Sequence, residues 1–428
     1  MRSLLIVAAP VLCLAGQASA EVIGRMTPSE ALSEARIAAL PAAQRASWTD
    51  YWKQSQAVMA ADKAAMTAER KGLALMPAGP PVGSPASMPL NRDAIWYGTA
   101  EARHIADNIV SFQTPTGGWG KNQDRTGPLR VRGQSYVAVD KSPTKATGDD
   151  KANESWAFVG TIDNGATTTE LRFLARVQQT LPGADGEAYR GAFQRGLRYL
   201  LDAQYPNGGW PQIYPLQGSY HDAITFNDDA MIHVVELLSD IAAKRDDFGF
   251  VPDELAGQAR TAVDRAVALS LRTQIMVGDK RTGWAQQYEA LTLVPVGARN
   301  FEPAALSSHE TAALLGFLMR LPCPSPEVVR AVHEGAAWLE ASALRDVEWN
   351  GDGPDGRRLL AKPRASPIWS RFYDIRTMRP IFGDRDKTIH NDVNELSLER
   401  RNGYSWFGAG PARALRLYRN WAVNHPRR

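Results

Sequence analysis

A turn of similar composition recurs along the chain, each time after a segment with helical periodicity. It reads QTPTGGW at 113–119 and QYPNGGW at 204–210, and a shorter Gly-Trp form returns at 283–284. Repetition of helix, glycine-rich turn and tryptophan at intervals of roughly 70–90 residues is typical of helical hairpins wound into a barrel. The pattern predicts an all-α fold of this kind, with the tryptophans at one rim around a cleft. The alternative is three ordinary helix ends, each with a buried tryptophan.

Apolar residues elsewhere recur with the 3.6-residue period of a helix. Four segments show such a face: Ala102, Ile105, Ala106, Ile109 and Val110; Met231, Val234, Val235, Leu238 and Ile241; Leu314, Phe317, Leu318 and Leu321; and Val328, Ala331, Val332 and Leu339. Alternating, strand-like patterns are few, and the best of them spans 290–296 (ALTLVPV). We therefore expect helices joined by long loops with short β segments.

The first 20 residues have the pattern of a secretory signal peptide. Arg2 supplies the positive charge, residues 4–16 supply the apolar core, and residues 18–20 (ASA) supply a small-residue cleavage site. The apolar run is short for a membrane span, and no later stretch of sequence is apolar enough to cross a bilayer. We expect export to the periplasm or the medium, with no membrane partner after cleavage.

Composition divides the rest of the chain into three parts. Residues 21–75 predict an N-terminal helical segment, residues 76–88 a linker rich in proline and glycine, and residues 89–428 the main domain. A net charge of +3 without a long basic run argues against nucleic acid as a partner. Cys13 lies in the signal peptide, so Cys323 remains alone and no internal disulfide is expected.

The stretch 369–386 (WSRFYDIRTMRPIFGDRD) combines arginines with aromatic residues. Its four arginines are Arg371, Arg376, Arg379 and Arg385, interleaved with Trp369, Phe372, Tyr373 and Phe382. Guanidinium groups bind carboxylates bidentately, and aromatic side chains beside them offer apolar walls for sugar rings. The stretch predicts a groove for an anionic ligand. The alternative is a set of surface ion pairs with Asp374, Asp384 and Asp386.

Acidic residues precede two of the predicted helices. Asp163 and Asn164 lie in TIDNGA (161–166), and Asp228 and Asp229 lie in TFNDDA (225–230). Each group is a natural helix N-cap, which is the simpler interpretation. Together they could offer oxygen ligands to a hard cation such as calcium, provided that the two turns meet.

Other familiar catalytic signatures are missing from the sequence. The seven histidines form no HExxH pair, and there is no GxSxG motif or phosphate-binding loop. Cys323 has no histidine beside it in sequence, which argues against a nucleophilic role. Arg299 follows the 290–296 run, and Glu302 is its nearest candidate ion-pair partner.

Eight motifs taken together resemble the pectate lyases of polysaccharide lyase family ten. They follow one another in order from about 115 to 408: TPTGGWGKN (114–122), TIDNGAT (161–167), QYPNGGWPQIYP (204–215), YHDAITFNDDAM (220–231), WAQQYEALTLVPVGARNFEP (284–303), WSRFYD (369–374), DRD (384–386) and ERRNGYSWFG (399–408). The resemblance implies an (α/α) toroid of short helical hairpins, which agrees with the repeated turns.

The resemblance also implies an activity, namely calcium-dependent cleavage of de-esterified homogalacturonan by β-elimination. Calcium polarises the carboxylate next to the acidic C5 proton, and preplaced arginines stabilise the resulting charge. By the match, Arg385 resembles the base, which must lose a proton with the help of desolvation and nearby positive charge; an alkaline optimum follows. The matched positions imply Asp163 and Asp228 as calcium ligands, Arg299 and Arg371 as carboxylate-binding arginines, and Asn164, Lys121, Tyr214 and Tyr404 as further groove residues.

Some alternatives stay open at the level of sequence. Asp229 is an uncertain third ligand, and the expected oligomeric state is a monomer. A terpene-cyclase-like α/α toroid also shows Gly-Gly-Trp repeats, although the signal peptide and the arginine-rich stretch count against it. A non-catalytic polyuronate-binding protein would keep the same groove without turnover.

Overall fold

The computed structural model describes residues 21–84, 88–138, 158–181, 183–351 and 355–427. The predicted signal peptide and residues 85–87 of the predicted linker lie outside these ranges. The described chain is mostly helical, as predicted. Its helices are α1 (Glu34–Ala38), α2 (Ala42–Arg70), α3 (Ala100–Ser111), α4 (Thr168–Gln179), α5 (Glu187–Asp202), α6 (Ala230–Ala242), α7 (Asp253–Thr273), α8 (Ser308–Leu318), α9 (Pro326–Ala341), α10 (Leu398–Gly403) and α11 (Gly410–Asn424). None of the described helices is long and apolar enough to span a bilayer.

The helices from α4 to α9 pack as consecutive pairs: α4 on α5, α6 on α7, and α8 on α9. Their short connections make each pair an antiparallel hairpin. The first members of the pairs also touch one another, α4 against α6 and α6 against α8, and α11 packs on α8 and α9. The four apolar faces read from the sequence lie in the main hydrophobic core, and among their residues only Val110 and Leu321 are partly exposed.

Local sequence explains where several helices begin. The Thr99 hydroxyl accepts a hydrogen bond from the Ala102 amide at the start of α3. At α9, Ser325 caps the Val328 amide and Pro326 occupies the first turn, where its missing N–H costs nothing.

The strands are short and join loops at the ends of the helices. They are β1 (Val22–Arg25), β2 (Gly160–Thr161), β3 (Ile213–Tyr214), β4 (Ile224–Thr225), β5 (Met276–Val277), β6 (Lys280–Arg281), β7 (Trp284–Ala285), β8 (Gln287–Tyr288), β9 (Leu306–Ser307), β10 (Val347–Asn350), β11 (Arg358–Ala361), β12 (Trp369–Ser370), β13 (Phe372–Tyr373), β14 (Phe382–Gly383), β15 (Thr388–His390) and β16 (Phe407–Gly408). The described sheets are antiparallel, with the orders β1-β15-β14, β13-β9-β7, β2-β3, β4-β8, β5-β6, β10-β11 and β12-β16.

The strand predicted over residues 290–296 is wrong. The chain turns there instead, and Leu293 has a left-handed backbone with φ of 61°. The Glu289 carboxylate accepts hydrogen bonds from the Leu291 and Thr292 amides. The Glu289 carboxylate thus stabilises a turn instead of hydrogen bonding between strands. The alternation of hydrophobic residues in the sequence does not reveal this contact.

The three tryptophans of the repeated turns do not line a rim, so that part of the prediction is wrong, and all three are buried instead. Trp119, Trp210 and Trp284 are each 0% exposed. Their indole N–H groups donate to main-chain carbonyls of the preceding helices, at Ile109, Leu200 and Ser270. Each tryptophan thus closes the end of a helix from inside the core.

A glutamine in each turn connects neighbouring repeats. The Gln113 amide donates both to Gly117 O in its own turn and to Ala192 O in α5. Gln204 and Gln274 repeat this arrangement toward α7 and α9, with Ala262 O and Ala331 O as the distant acceptors. The glycine at the turn is required, because a Cβ on Gly208 would lie 2.4 Å from Arg265 O at a φ of +100°.

The N-terminal segment packs onto the same core as the rest of the chain. Trp48 and Tyr51 of α2 are buried in the main hydrophobic cluster, and the Tyr51 hydroxyl donates to Ala203 O. At its beginning, β1 pairs with β15, so Val22 lies opposite His390 and Arg25 opposite Thr388. Residues 21–70 therefore share a core and a sheet with residues far along the chain.

Candidate active site

Two short turns with the same backbone path form the floor of the candidate site. Asp163–Gly165 precedes α4 and Asn227–Asp229 precedes α6, and the two turns contact each other. The middle residue is left-handed in both, with φ/ψ of 52°/31° at Asn164 and 49°/37° at Asp228. Asparagine and aspartate are the residue types other than glycine that best tolerate this conformation. The two turns, whose contact the sequence analysis left open, are therefore neighbours in the structure.

Asp163 is not the helix cap of the simpler interpretation. Its Oδ2 atom lies 2.6 Å from Lys121 Nζ, and Asn164 beside it donates to Asn122 Oδ1 at 3.2 Å. Burial alone would raise the pKa of Asp163, but Lys121 and then Arg299 lower it below its ordinary value. The carboxylate is therefore charged and faces cationic side chains.

Arg371 joins the second turn to a buried glutamate. One terminal nitrogen, Nη2, donates at 3.0 Å to each of Asn227 Oδ1, Asp228 Oδ1 and Glu310 Oε1. Burial alone would lower the pKa of Arg371, but Tyr404, Glu310 and Asp228 raise it above its usual value. Arg371 is thus a fixed, buried cation at 9% exposure.

Arg299 is held by Glu302 in a bidentate pair. Arg299 Nε lies 2.8 Å from Glu302 Oε2, and Nη2 lies 2.5 Å from Oε1. The Tyr404 hydroxyl donates to the same Oε1 at 2.7 Å. Burial would raise the pKa of Glu302, but the charge of Arg299 and its hydrogen bonds bring it to about 2. About one third of the Arg299 side chain remains exposed and can meet an anionic ligand.

Arg385 lies beside this pair. Its own partner carboxylate, Glu399, is also contacted by a second arginine, Arg400. Arg385 Nε and Nη2 are each 3.3 Å from the Glu399 oxygens, whereas Arg400 Nε lies 2.6 Å from Glu399 Oε2. The Phe301 ring lies among three guanidinium groups, with Arg299, Arg385 and Arg400 at 4.9, 4.8 and 4.3 Å from its centroid. All three guanidinium groups are thus within cation–π distance of one ring.

Some residues of the predicted groove lie elsewhere. Tyr214 is 1% exposed, and its ring packs against Tyr51 and Tyr199 in the core. Arg376 and Arg379 are exposed and do not pair with the turns described above. The predicted aromatic walls are wrong, because the short strands direct these side chains into the core; they are Trp369, Phe372, Tyr373 and Phe382, all at 3% exposure or less.

The alternative of surface ion pairs with the aspartates of the arginine-rich stretch is also wrong for Arg371, which is buried, whereas Arg385 is half-buried and pairs with a partly exposed glutamate outside the stretch. Arg371 pairs with Glu310 and Asp228, and Arg385 pairs with Glu399. Sequence analysis missed the roles of Glu310 and Glu399. Glu399 was visible inside the ERRNGYSWFG motif, whereas Glu310 lies in a helix start that carries no signal of its own.

The two turns offer ligands that suit a hard cation. Asp163 and Asp228 carry carboxylates and Asn164 carries an amide oxygen, which is the ligand chemistry that calcium prefers. In addition, Asp229 Oδ1 is buried and has no hydrogen-bond partner, although His309 lies 3.5 Å away. Across the described ranges, no group of three or more His, Cys, Asp or Glu side chains is arranged to hold a metal alone. The set fits a cation that takes further oxygens from a bound anionic ligand.

Comparisons with known proteins agree with this arrangement. A family profile described as pectic acid lyase matches residues 113–415. Among solved structures, a mutant family 10 polysaccharide lyase from Cellvibrio cellulosa in complex with trigalacturonic acid is 30% identical at a TM-score of 0.65, over 81% of this chain and 100% of that one. A second structure of the family 10 lyase from Cellvibrio cellulosa is 31% identical at a TM-score of 0.64, over 79% and 97% of the two chains. The comparison with curated proteins gave no match.

Proposed function

Because the chain belongs to the pectic acid lyase family and is a pectate lyase of polysaccharide lyase family ten, we propose that it cleaves de-esterified homogalacturonan by β-elimination with Arg385 as the base. The observation that carries the proposal is the grouping of Arg299, Arg371 and Arg385 around the rings of Phe301 and Tyr404, with Arg371 hydrogen-bonded to Asp228 of the second acidic turn. A trigalacturonic acid complex of the similar lyase from Cellvibrio cellulosa supports a polyuronate as substrate.

The reaction needs a proton acceptor close to fixed positive charge. The base removes the proton from C5, and the electron pair of the broken C5–H bond forms the C4–C5 double bond. The bond from C4 to the glycosidic O4 then breaks. The departing oxygen gains a proton from solvent. Negative charge develops on the substrate carboxylate, and prearranged cations stabilise it most when they need not move.

The contacts of the arginines suggest different tasks. Arg299 and Arg371 are each held at 3.0 Å or less by buried glutamates, so they remain charged and can bind substrate carboxylates. Arg385 is 3.3 Å from Glu399, a carboxylate that Arg400 holds more closely. The ion pair between glutamate and the guanidinium that must give up a proton is therefore the longest of the three. Lys121, which pairs with Asp163, and Tyr404, which donates to Glu302, are further groove residues in this proposal.

Calcium is part of the proposal. Asp163 and Asp228, with Asn164, would hold the ion. When bound, it would draw electron density from the substrate carboxylate and so acidify the C5 proton. The protein side chains supply the rest: Arg371 orients Asp228 through its hydrogen bond, and Lys121 orients Asp163.

Three further expectations belong to the same proposal. We propose that the hairpins α4–α5, α6–α7 and α8–α9 are parts of an (α/α) toroid, as the contacts between α4, α6 and α8 suggest. Export follows from the sequence of residues 1–20, and a monomer is the expected state. Family membership favours a lyase over the terpene-cyclase-like enzyme and over the non-catalytic binding protein.

The test follows the ultraviolet absorbance of the unsaturated product during incubation with polygalacturonate at alkaline pH. We expect a rise that a chelator abolishes and added calcium restores. Arg385→Ala should lower kcat by at least a hundredfold, whereas Arg376→Ala, an exposed arginine of the same stretch, should keep wild-type kcat. Equal activity of the Arg385→Ala and Arg376→Ala variants would exclude Arg385 as the base.

A further inference from the structure

The N-terminal residues Val22–Arg36, which we call the strap, lie against the loops that carry two of the proposed catalytic arginines. They lie outside the part of the chain matched by the family profile, which begins at residue 113. We propose that the strap positions Arg385 and Arg299 for catalysis, an inference that rests on the proposed function. Met26 is its central residue.

The first contact is with the loop of Arg385. Strand β1 pairs with β15, which begins three residues after Arg385, and β15 is the middle strand of its sheet. The Met26 amide donates to Lys387 O at 2.8 Å, and an Arg25 guanidinium nitrogen lies 3.3 Å from Asp386 O. Without the strap, β15 would present an unpaired edge directly beside the proposed base.

The second contact is with the loop of Arg299. Met26 is 6% exposed, and its side chain lies over Gly297, two residues before Arg299. A Cβ added to Gly297 would be 3.1 Å from Met26 Sδ and 3.2 Å from Met26 Cγ, so the side chain lies flat against the bare backbone. Met26 therefore touches both arginine loops, one through its backbone and the other through its side chain.

The far end of the strap is anchored on a third loop. The Leu32 amide donates to Asp222 Oδ2 at 3.0 Å, and Asp222 Oδ1 accepts the Gly218 amide at 2.8 Å. Arg36 Nη2 lies 2.7 Å from Glu289 Oε1. Because both ends are fixed, the position of Met26 between them is determined, which is what preorganisation of a site requires.

The experiment compares methionines of similar burial within the N-terminal segment. Met26→Ala removes the contact with Gly297, whereas Met66→Ala truncates a methionine at 4% exposure in a separate cluster with Tyr136 and Phe158. At a temperature well below both melting transitions, we expect Met26→Ala to lower kcat/KM by about tenfold, since small displacements of catalytic groups have effects of this order or larger. Met66→Ala should leave kcat/KM within twofold of wild type, and Met26→Leu should recover most of the loss.

The outcomes separate this inference from the proposed function. If Met26→Ala and Met66→Ala lower the melting temperature alike and both keep wild-type kcat/KM, the strap is only structural and the inference is wrong. Met26→Val provides a milder truncation in case Met26→Ala does not fold, and we expect an intermediate loss of kcat/KM. If Arg385→Ala itself keeps wild-type kcat, the proposed function fails, whatever the Met26 variants do.

Discussion

Each of the three site arginines is paired with a glutamate: Arg299 with Glu302, Arg371 with Glu310, and Arg385 with Glu399, which Arg400 also contacts. Glu302 and Glu310 have side chains at 2% exposure or less, whereas Glu399 is 55% exposed. A charge-assisted bidentate pair inside the protein fixes the guanidinium plane. Arg299 and Arg371 are therefore held by buried carboxylates, whereas the carboxylate that holds Arg385 is largely exposed.

Replacing Glu302 by glutamine tests the rigid binder. Glutamine keeps the shape but removes the charge and one of the two acceptors, so Arg299 loses its bidentate pair and the acceptor that remains is uncharged. We expect KM for polygalacturonate to rise about tenfold, with a smaller change in kcat, and the protein to lose roughly 1–3 kcal/mol of stability. Steady-state kinetics and denaturant unfolding measure the two effects.

The matched control is Glu69→Gln, because Glu69 also holds an arginine bidentately, at 3.2 and 2.6 Å from Arg130, away from the site. Glu69→Gln should cost stability without raising KM. An equal rise of KM in both variants would mean that general loosening, and not the position of Arg299, controls substrate affinity.

Replacing Glu399 by glutamine tests the proposed base. A carboxylate favours the protonated form of a neighbouring guanidinium, and its removal leaves Arg385 beside the cation of Arg400. We expect the alkaline rise of kcat to move to lower pH by about one unit. The pH profiles of Glu399→Gln and wild type give the shift; a shift toward higher pH would contradict an arginine base held in check by Glu399.

At the scale of elements, the site depends on two loops that touch backbone to backbone. Gly383 ends β14 just before Arg385, and a Cβ there would lie 2.4 Å from Phe301 O and 2.7 Å from Phe301 C. Asn300 strengthens the contact through a hydrogen bond to Arg385 O at 3.3 Å. Any side chain at 383 must therefore push Arg385 away from Phe301 and Arg299.

Gly383→Ala should lower kcat at least tenfold because it separates the two loops. The clashing atoms are backbone, so they cannot move aside as a flexible side chain would. Gly408→Ala is the control, since Gly408 also lies in a short strand but has no atom within 4 Å of the added Cβ. If both variants keep wild-type kcat, the close approach of the loops has no catalytic importance.

At the scale of the whole molecule, the sequence predicts helices and turns better than it predicts which of them meet. The faces at Met231–Ile241 and Val328–Leu339 follow from a local period and are confirmed. The contact between the Asp163 and Asp228 turns depends on how two hairpins pack, which no local pattern encodes. The predicted position of the tryptophans at a rim was wrong because the composition of a turn does not determine whether a ring points into the core. The glutamine contacts between repeats, from Gln113, Gln204 and Gln274, are equally invisible until the helices are placed.

The N-terminal segment shows the same limit over the longest distance. Strand β1 pairs with β15, more than 350 residues later, and both are too short to show an alternating pattern.

A buried acid in the N-terminal segment also makes the stability of the fold depend on pH. Asp62 of α2 is 3% exposed and accepts a hydrogen bond from the Thr116 hydroxyl, beside a Gly-Gly-Trp turn. Burial raises its pKa to about 6 from an ordinary value of 3.8.

A raised pKa means that the folded state disfavours the charged form of Asp62. Its contribution to stability is fully present below about pH 3.8 and is lost as the pH rises through 6. At the alkaline pH proposed for catalysis, the charged carboxylate costs at most about 3 kcal/mol of stability.

Asp62→Asn removes that cost and keeps an acceptor for Thr116. We expect its melting temperature to exceed that of wild type by roughly 2–4 °C at pH 8 and to equal it near pH 4. Asp50→Asn, an exposed position on the same helix, should change neither value; an Asp62→Asn difference independent of pH would show that packing, and not ionisation, separates the variant from wild type.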